Sequence, residues 1–445
     1  MHTDEGLKRE IGTLGLTSNI INTVIGAGIF VLPALVSEGL GASGILAYLF
    51  CGFLIAMVML CFAEAGSKIT ITGGAYAYIE AAFGKYFGFI TTNLFIFGAA
   101  LMATAAVANA VADTLSYLFP IFANWIFRAS FFLVLFTGLT IINVRGVKEG
   151  ITLVKLTTVL KLAPLLLLIF WGIGKVNTDN LTWSTTPPLA DFGKISLILF
   201  FAFQGAENSL SVSGEVKTPE KTIPKSILLS IVVILLIYLG VQMVAQGVMG
   251  DALSGFKKAP LAETAKNIMG PFGVTIMILG AAISMFGYLS SDILNMPRVI
   301  FRSAIDGVIP IKPLAKTHPR FATPYISIIA FTLLGCVLSI AGGFRQLAVL
   351  STASVLLIYL GVALAVIKLR ANNDPGRATF KIWGGLIVPV LSVLIIIWFL
   401  TNLTGKEVVG MSVFLVVLSA VYYVRTLLKP KHNSAKADAP FSVLK

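Results

Sequence analysis

Charged residues, histidine and cysteine are all scarce in this chain of 445 residues. Asp, Glu, Lys and Arg together make up 12% of it, about half the share that is usual in a soluble domain. The three histidines form no metal-ligand spacing, and Cys51, Cys61 and Cys336 all fall in apolar runs without a CxxC pair. HExxH and GxSxG motifs are also missing. These absences argue against an enzyme, a metal site, a cofactor and a disulfide framework.

Long apolar runs take the place of the missing charge. Hydrophobic residues make up 57% of the sequence, and runs of about 20 residues, each long enough to cross a bilayer as a helix, recur from end to end. We therefore predict an all-α integral membrane protein with about 12 transmembrane helices. The predicted spans are 11–37, 43–66, 84–118, 124–143, 147–174, 191–214, 225–249, 273–303, 323–341, 346–370, 382–402 and 408–428.

The basic residues indicate how these spans are oriented. The formal net charge is +13, but Lys and Arg are scattered at the ends of spans and accompany no soluble domain, so no nucleic-acid partner is expected. Most of the 33 Lys and Arg residues fall on the side of the two chain ends, which an even number of spans places together. The positive-inside rule then predicts a multi-pass protein of the cell membrane with both terminal segments, 1–10 and 429–445, in the cytoplasm.

Two predicted spans are interrupted by polar, glycine-containing segments at matching places. Gly26–Gly28 interrupts the first span, and Gln204–Asn208 interrupts the sixth. Backbone groups freed in the middle of a bilayer are tolerated only where protein or a water-filled cavity supplies partners. Interrupted helices at matching places in two inverted repeats are typical of secondary transporters. We predict one repeat of five spans over 11–174, a second over 191–370, and two further helices over 382–428.

Four motifs follow one another between about residues 10 and 330. They are Gly26-Ala27-Gly28-Ile29-Phe30 with Pro33, Thr72-Gly73-Gly74-Ala75-Tyr76-Ala77-Tyr78 with Phe83-Gly84, Phe203-Gln204-Gly205-Ala206-Glu207 with Glu215-Val216-Lys217-Thr218-Pro219, and Pro297-Arg298 with Asp306-Gly307-Val308-Ile309-Pro310. In this order and spacing they resemble the signature of the amino acid-polyamine-organocation permeases. The resemblance implies a five-plus-five inverted-repeat fold with unwound first and sixth helices, alternating access, and amino acids or their amine derivatives as substrates.

The first break offers backbone groups of both polarities. Glycines at positions 26 and 28 let the chain leave helical geometry and expose N–H groups at the start of the outer half-helix, where the helix dipole is positive. These groups suit a substrate carboxylate. Carbonyl groups near Asn22–Ile25 and near Phe203 have the opposite polarity and suit an ammonium group. The alternative, a helix-packing contact, requires glycines four residues apart.

We expect the substrate site at the two breaks, completed by side chains of other helices. Phe203 resembles the family's aromatic gate over the substrate, a role that a nearby residue takes in some members. Thr104 on the third helix and Ser351, Thr352 and Ser354 on the tenth either read the substrate side chain or form ordinary hydrogen bonds between helices. The predicted substrate-binding residues are Thr23, Ile25, Gly26, Ala27, Gly28, Thr104, Phe203, Gln204, Gly205, Glu207, Asp292 and Ser354.

Glu207 lies in the second break, where an ionised carboxylate is costly and an acidic residue points to a functional site. The resemblance associates an acidic residue at this position with proton sensing or with organising the site. The alternative is a structural carboxylate that caps loose backbone N–H groups.

Lys161 lies near the middle of the fifth span, where a lone ammonium group needs acceptors. The resemblance implies that Lys161 replaces the sodium ion of related transporters and touches carbonyls near Ile25 and hydroxyls at Ser290 or Ser291. Lys161, Glu207, Ser290 and Ser291 are therefore the predicted coupling residues. The alternative is a permanently charged strut between helices.

Asp292 departs from the family pattern and lies near the middle of the eighth span. It either pairs with Lys161, which neutralises both charges, or faces the pocket and meets a cationic group of arginine, lysine, ornithine or a polyamine. Helical spacing alone does not decide between the two.

These features together predict a sodium-independent secondary transporter of amino acids, either proton-linked or of the exchange type. A cationic amino acid or polyamine antiporter that uses Asp292 is the alternative. A channel and an amino acid-sensing receptor are alternatives from other functional classes. Against a channel, the breaks form two opposed half-sites instead of rings of repeated groups. Against a receptor, the sequence shows no attached signalling domain. The expected partners are a small amino acid or amine, protons in the proton-linked case, and the lipid bilayer. The oligomeric state stays open.

Overall fold

A computed structural model of the chain describes residues 11–69, 74–145, 151–183, 186–209, 216–371, 380–382 and 384–428, with the backbone alone at 151–159, 219–220 and 428. The predicted terminal segments 1–10 and 429–445 lie outside the described residues, as do Thr72, Gly73 and Glu215 of the motifs.

The described residues are helical almost throughout, in agreement with the prediction of an all-α protein. Short 3₁₀ turns occur at several helix ends. Two departures from α-helical geometry lie near the helix breaks: Leu94–Ala100, between α5 and α6, is π-helical, and Phe200–Phe203, after α9, is a 3₁₀ turn. The α-helices are α1 (Thr13–Val24), α2 (Gly28–Leu40), α3 (Ile45–Lys68), α4 (Ala75–Phe83), α5 (Lys85–Asn93), α6 (Leu101–Leu118), α7 (Trp125–Arg145), α8 (Ile151–Gly172), α9 (Leu189–Leu199), α10 (Ala206–Ser209), α11 (Pro219–Met249), α12 (Pro260–Met269), α13 (Pro271–Ile305), α14 (Tyr325–Ala341), α15 (Phe344–Ala371), α16 (Ile387–Thr401) and α17 (Gly405–Leu428).

Within the described ranges, 8 helical segments are long and apolar enough to cross a membrane. The apolar helices α14 and α16 are shorter. The architecture therefore agrees with a multi-pass membrane protein. The count of 12 spans and the inverted relation between 11–174 and 191–370 stay predictions.

Both predicted helix breaks are present. α1 ends at Val24, Ile25 takes extended backbone angles (φ −73°, ψ 92°), and α2 begins at Gly28. In the second break the 3₁₀ turn is followed by extended Gln204 (φ −76°, ψ 160°) and then by Gly205 at φ +110°. Glycine adopts this positive φ readily because it has no Cβ.

Two glycines allow the breaks to touch each other. A Cβ on Gly205 would lie 2.8 Å from the Thr23 carbonyl oxygen, and a Cβ on Gly28 would lie 2.8 Å from the Cα atom of Ala202. Both distances are shorter than an unstrained contact. The missing side chains therefore let α2 and the end of α1 cross the second break at backbone distance.

Two groups of helices surround these breaks. In the first group, α11 packs on α1 and α3, and α3 also packs on α9. In the second group, α6 packs on α13 and α14, and α14 packs on α7. α15 contacts both groups, through α3 and through α6. The breaks belong to the first group and face the second.

We expect Gly28→Ala to lower the melting temperature of the purified protein in detergent. The new methyl group would meet the backbone of Ala202, and overpacking of this kind typically costs about 1–3 kcal/mol. Gly138→Ala in α7 is the matched control, because a Cβ there meets nothing within 4 Å. Equal melting temperatures for the two variants would contradict the tight crossing.

Candidate functional site

A central cavity lies where the two breaks face α6, α13 and α15. It encloses about 580 Å³ of empty space, counted with its opening to solvent. The predicted site residues that line it are Thr23, Gly26, Ala27, Gly28, Gln204, Gly205, Glu207 and Asp292. Other residues on its wall are Phe95, Ala99, Ala100, Ala103, Val107, Phe201, Tyr288, Met296, Ser351 and Val355.

The cavity opens on the side where α1 begins. Asn208, beyond the second break, is exposed, whereas Phe201 and Phe344 are buried and their ring centroids are 5.7 Å apart. The backbone N–H of Lys217 donates to the Ile11 carbonyl at 2.9 Å, which places the segment after α10 beside the start of α1. The aromatic pair therefore closes the far side.

The first break presents helix ends of opposite polarity to this cavity. Gly26–Gly28 lines the cavity at the start of α2. The first N–H groups of a helix have no partner within it and carry partial positive charge. At the end of α1, the Asn22 carbonyl accepts from the ammonium group of Lys161, and the Val24 carbonyl accepts from the Tyr238 hydroxyl at 3.4 Å. The cavity wall thus suits a carboxylate at the start of α2.

Glu207 is held in the second break by two donors. Its Oε2 atom accepts from the backbone N–H of Gly205 at 3.0 Å and from the hydroxyl of Tyr359, on α15, at 2.5 Å. The first bond is the capping role that the sequence offered as an alternative. Because Glu207 also lines the cavity, the carboxylate both caps the break and faces any molecule bound there.

Gln204 connects the second break to α15. Its Nε2 atom donates to the Thr352 hydroxyl at 2.7 Å, and the Ser351 hydroxyl lies 3.4 Å from its Oε1 atom. Ser351 also donates to the Ala99 carbonyl in the π-helical segment at 3.0 Å. π-Helical turns are frequent at functional sites. This one places Phe95 and Ala99 on the cavity wall.

Asp292 is buried, lines the cavity and accepts a hydrogen bond from the Thr104 hydroxyl. In the described part of the chain, no ion pair joins Asp292 to Lys161. The structure therefore presents the cavity-facing arrangement instead of the paired one. Thr104 does not itself line the cavity and supports Asp292 from behind.

Lys161 is buried on α8 and does not line the central cavity. Its Nζ atom donates to the Asn22 carbonyl at the end of α1. The sequence predicted carbonyl contacts near Ile25, and the contact that is present lies three residues earlier. Ser291, a predicted hydroxyl partner, is exposed on α13. Lys161 thus ties α8 to the end of α1 immediately behind the cavity.

Phe203 does not have the place that the sequence predicted for it. Its ring is buried away from the cavity, with centroids 6.5 Å from Tyr48 and 5.1 Å from Tyr238. Phe201, two residues earlier, lines the cavity and contacts Phe344. The 3₁₀ turn before the break sets which aromatic side chain faces the cavity, so the gate position falls to Phe201.

Two other predicted residues also lie off the cavity. The side chain of Ile25 is fully buried in the apolar core. The Ser354 hydroxyl donates to the Leu350 carbonyl at 2.9 Å, within its own helix. Ser351, one turn earlier on α15, lines the cavity in its place.

Tyr288, Phe201 and the alanines at 99, 100 and 103 line the cavity and were missed by sequence reasoning. Tyr288 precedes Asp292 by one helical turn and so shares its face of α13, a spacing that would have found it once Asp292 faced the cavity. The alanines at 99, 100 and 103 gave no signal because alanine is common throughout the apolar runs.

The chain belongs to the amino acid permease family, whose family model matches residues 11–434. This confirms the predicted membership of the amino acid-polyamine-organocation permeases. It also confirms that the protein is a membrane transporter and not an enzyme.

Three proteins of Bacillus subtilis (strain 168) are similar to it over most of their length. The serine/threonine exchanger SteT is 29% identical over 406 residues, which cover 88% of this chain and 91% of SteT. The methylthioribose transporter is 28% identical over 454 residues, with 96% and 95% covered. The branched-chain amino acid permease BcaP is 27% identical over 451 residues, with 97% and 95% covered.

We expect Phe201→Leu and Phe203→Leu to have different effects. Losing an aromatic pair removes about 0.5–1.5 kcal/mol, so Phe201→Leu should raise the apparent KM for transport about 2- to 10-fold. Phe203→Leu should lower the melting temperature and leave KM unchanged, because Phe203 packs only in the core. Uptake kinetics and thermal unfolding of both variants check this. A KM change confined to Phe203→Leu would restore the sequence-based assignment.

Proposed function

We propose that this protein is a sodium-independent secondary transporter of amino acids that works by alternating access, either proton-linked or by exchange. The observation that carries the proposal is the crossing of two broken helices at a cavity, with the positive start of α2 on its wall and the Lys161 ammonium behind the end of α1. Family membership and the names of the relatives SteT and BcaP support amino acids as the substrates.

In this proposal the two breaks bind the common head of the amino acid. N–H groups of Gly26–Gly28 receive the carboxylate, and the carbonyl groups at the end of α1 receive the ammonium group. The substrate side chain lies against Ala99, Ala100 and Ala103, which line the cavity together with Phe201. Gln204 and Glu207 complete the polar wall. Cavities of this kind at the midplane are typical of transporters with broken helices.

The proposed fold has 12 spans, in two inverted repeats of five followed by two further helices, as the sequence predicts. We propose a place in the cell membrane with both termini in the cytoplasm. Since the cavity opens on the side where α1 begins, this state then faces inward. Separation of the Phe201 and Phe344 rings, now 5.7 Å apart, would open the outer side.

Lys161 takes the place of a metal cation in this proposal. The positive charge of the ammonium group, bonded to the Asn22 carbonyl, neutralises the negative end of α1. A bound sodium ion would do the same, and transport would then depend on sodium. With Lys161 in place, loss or gain of a proton on its amine changes the same interaction, which gives a route to proton coupling.

Uptake into proteoliposomes tests the function. We expect saturable uptake of an amino acid from a panel of neutral and cationic amino acids, polyamines and methylthioribose, unchanged when potassium replaces sodium. A pH gradient or internal counter-substrate should stimulate it. Uptake that requires sodium, or that is confined to methylthioribose, would contradict the proposal.

Lys161→Ala is expected to abolish uptake or to remove its dependence on pH, because the end of α1 loses its compensating charge. Lys175→Ala, on the exposed segment that follows the same helix, is the control and should behave as the wild type. Unchanged pH-dependent uptake by Lys161→Ala would remove Lys161 from the coupling mechanism.

A cationic amino acid or polyamine antiporter is the second candidate. It is favoured by the two carboxylates, Asp292 and Glu207, that line the cavity, whereas no Lys or Arg lines it among the described residues. An ionised carboxylate inside a membrane needs a compensating charge. A cationic substrate side chain would supply that charge to Asp292.

Asp292→Asn separates the two candidates. If Asp292 meets a substrate cation, the variant should lose uptake of arginine, lysine or polyamines by about 10-fold or more, the cost of about 1.4 kcal/mol or more, and keep uptake of neutral amino acids. Asp251→Asn, at an exposed position, is the control. Equal uptake of cationic substrates by wild type and Asp292→Asn would exclude the second candidate.

A further inference from the structure

An ion pair between a buried carboxylate and a partly buried arginine joins α3 to the far end of α15, outside the central cavity. The Glu64 side chain is fully buried, and Arg370 donates to it twice: from Nε to Oε1 at 2.6 Å and from Nη2 to Oε2. The backbone N–H of Ile382, just before α16, donates to Oε2 at 2.9 Å. We call Glu64, Arg370 and Ile382 the inner clamp, since it lies on the side where the cavity opens.

Neighbouring bonds reinforce the inner clamp. Lys68, one turn after Glu64, donates to the Leu369 carbonyl at 3.2 Å, and the Ser67 hydroxyl lies 3.2 Å from the Phe380 carbonyl. Bidentate bonds between guanidinium and carboxylate are about twice as strong as neutral hydrogen bonds. A buried carboxylate left without its partner is strongly destabilising. The inner clamp therefore attaches α15 firmly to α3, a member of the first group of helices.

The inner clamp and the central cavity are connected by one face of α15. Thr352 and Arg370 are 18 residues apart, five turns of an α-helix, and Tyr359 falls close to the same line. Each of these side chains contacts the first group of helices: Thr352 contacts Gln204, Tyr359 contacts Glu207, and Arg370 contacts Glu64. A shift of α15 along or about its axis would break these contacts together.

We propose that the inner clamp positions α15 so that Thr352 and Tyr359 hold Gln204 and Glu207 in the second break. The proposal rests on the proposed function, because it takes the second break as part of the substrate site. Arg370 lies about 16 Å along the helix from Tyr359, so it is a positioning residue that does not touch the substrate. α15 also contacts α6 of the second group. The inner clamp keeps α15 attached to the first group when the two groups move relative to each other.

A double-mutant cycle between Arg370 and Tyr359 tests the proposal. In the wild-type background, Arg370→Met should raise the apparent KM for uptake about 5-fold or more, the lower end of coupling between distant sites, and Arg370→Lys should restore part of it. In the Tyr359→Phe background, Arg370→Met should change KM less, because one of the two contacts through which it acts is already lost. Lys257→Met, in an exposed ion pair with Glu38, is the control.

Two outcomes would overturn the proposal: an equal KM change from Arg370→Met in both backgrounds, or a lower protein yield and maximal rate with KM unchanged. If Arg370→Met does not fold, Glu64→Gln with Arg370→Met carries the test, since it leaves no buried charge unpaired. If the wild type takes up no amino acid, the proposed function fails. The inner clamp is then tested by measuring the melting temperatures of the same single and double variants. Additive changes in melting temperature would contradict coupling between Arg370 and Tyr359.

Discussion

The structure depends on one constraint: polar backbone groups freed inside a membrane must find partners. The two breaks free such groups, and side chains from neighbouring helices satisfy part of them. The Tyr238 hydroxyl serves carbonyls of both breaks, Lys161 serves the end of α1, and Glu207 serves the second break. At the start of α2, Gly26–Gly28 instead borders the cavity. The backbone groups at the start of α2 that are not paired within the protein therefore form a polar site at the cavity.

Close packing of the two breaks fixes the geometry of the site. Gly28 and Gly205 have no side chains, so backbone meets backbone where the helices cross. The neighbouring side chains must then point elsewhere. Phe201 points into the cavity and Phe203 into the aromatic cluster with Tyr48 and Tyr238. One crossing thus fixes both the polar wall and the aromatic wall of the cavity.

The sequence predicted the features that depend on residues close together in the chain. Spans follow from runs of apolar residues, and the breaks follow from polar, glycine-containing segments inside such runs. Accordingly, α1 and α2 lie close to the expected first span, and α9 and α10 lie on either side of the second break. The predicted orientation of the Phe203 side chain was wrong, because successive residues of a 3₁₀ turn are rotated by a different angle from those of an α-helix. No residue type in Leu94–Ala100 announces a π-helical segment.

Tertiary contacts account for the other features that the sequence left undecided or missed. Helical periodicity placed Asp292 in mid-span but gave two faces for it, and Thr104 on another helix distinguishes them. Glu64 and Arg370 stood near the ends of predicted spans, where charged residues usually reach water and attract no attention. Their partnership joins positions about 300 residues apart and is invisible to any local pattern.

The charge of the cavity separates the two candidate functions. Asp292 and Glu207 both face it, and the positive charge of Lys161 lies behind the end of α1. A neutral amino acid brings one charge of each sign, both of which the helix ends can meet. Such a substrate leaves Asp292 without a compensating cation, so Asp292 must be protonated or rely on the Thr104 hydroxyl. A cationic substrate supplies the compensation itself. Under the proposed function, the protonation state of the Asp292 carboxylate therefore distinguishes neutral from cationic substrates, and pH and substrate charge act on the same group.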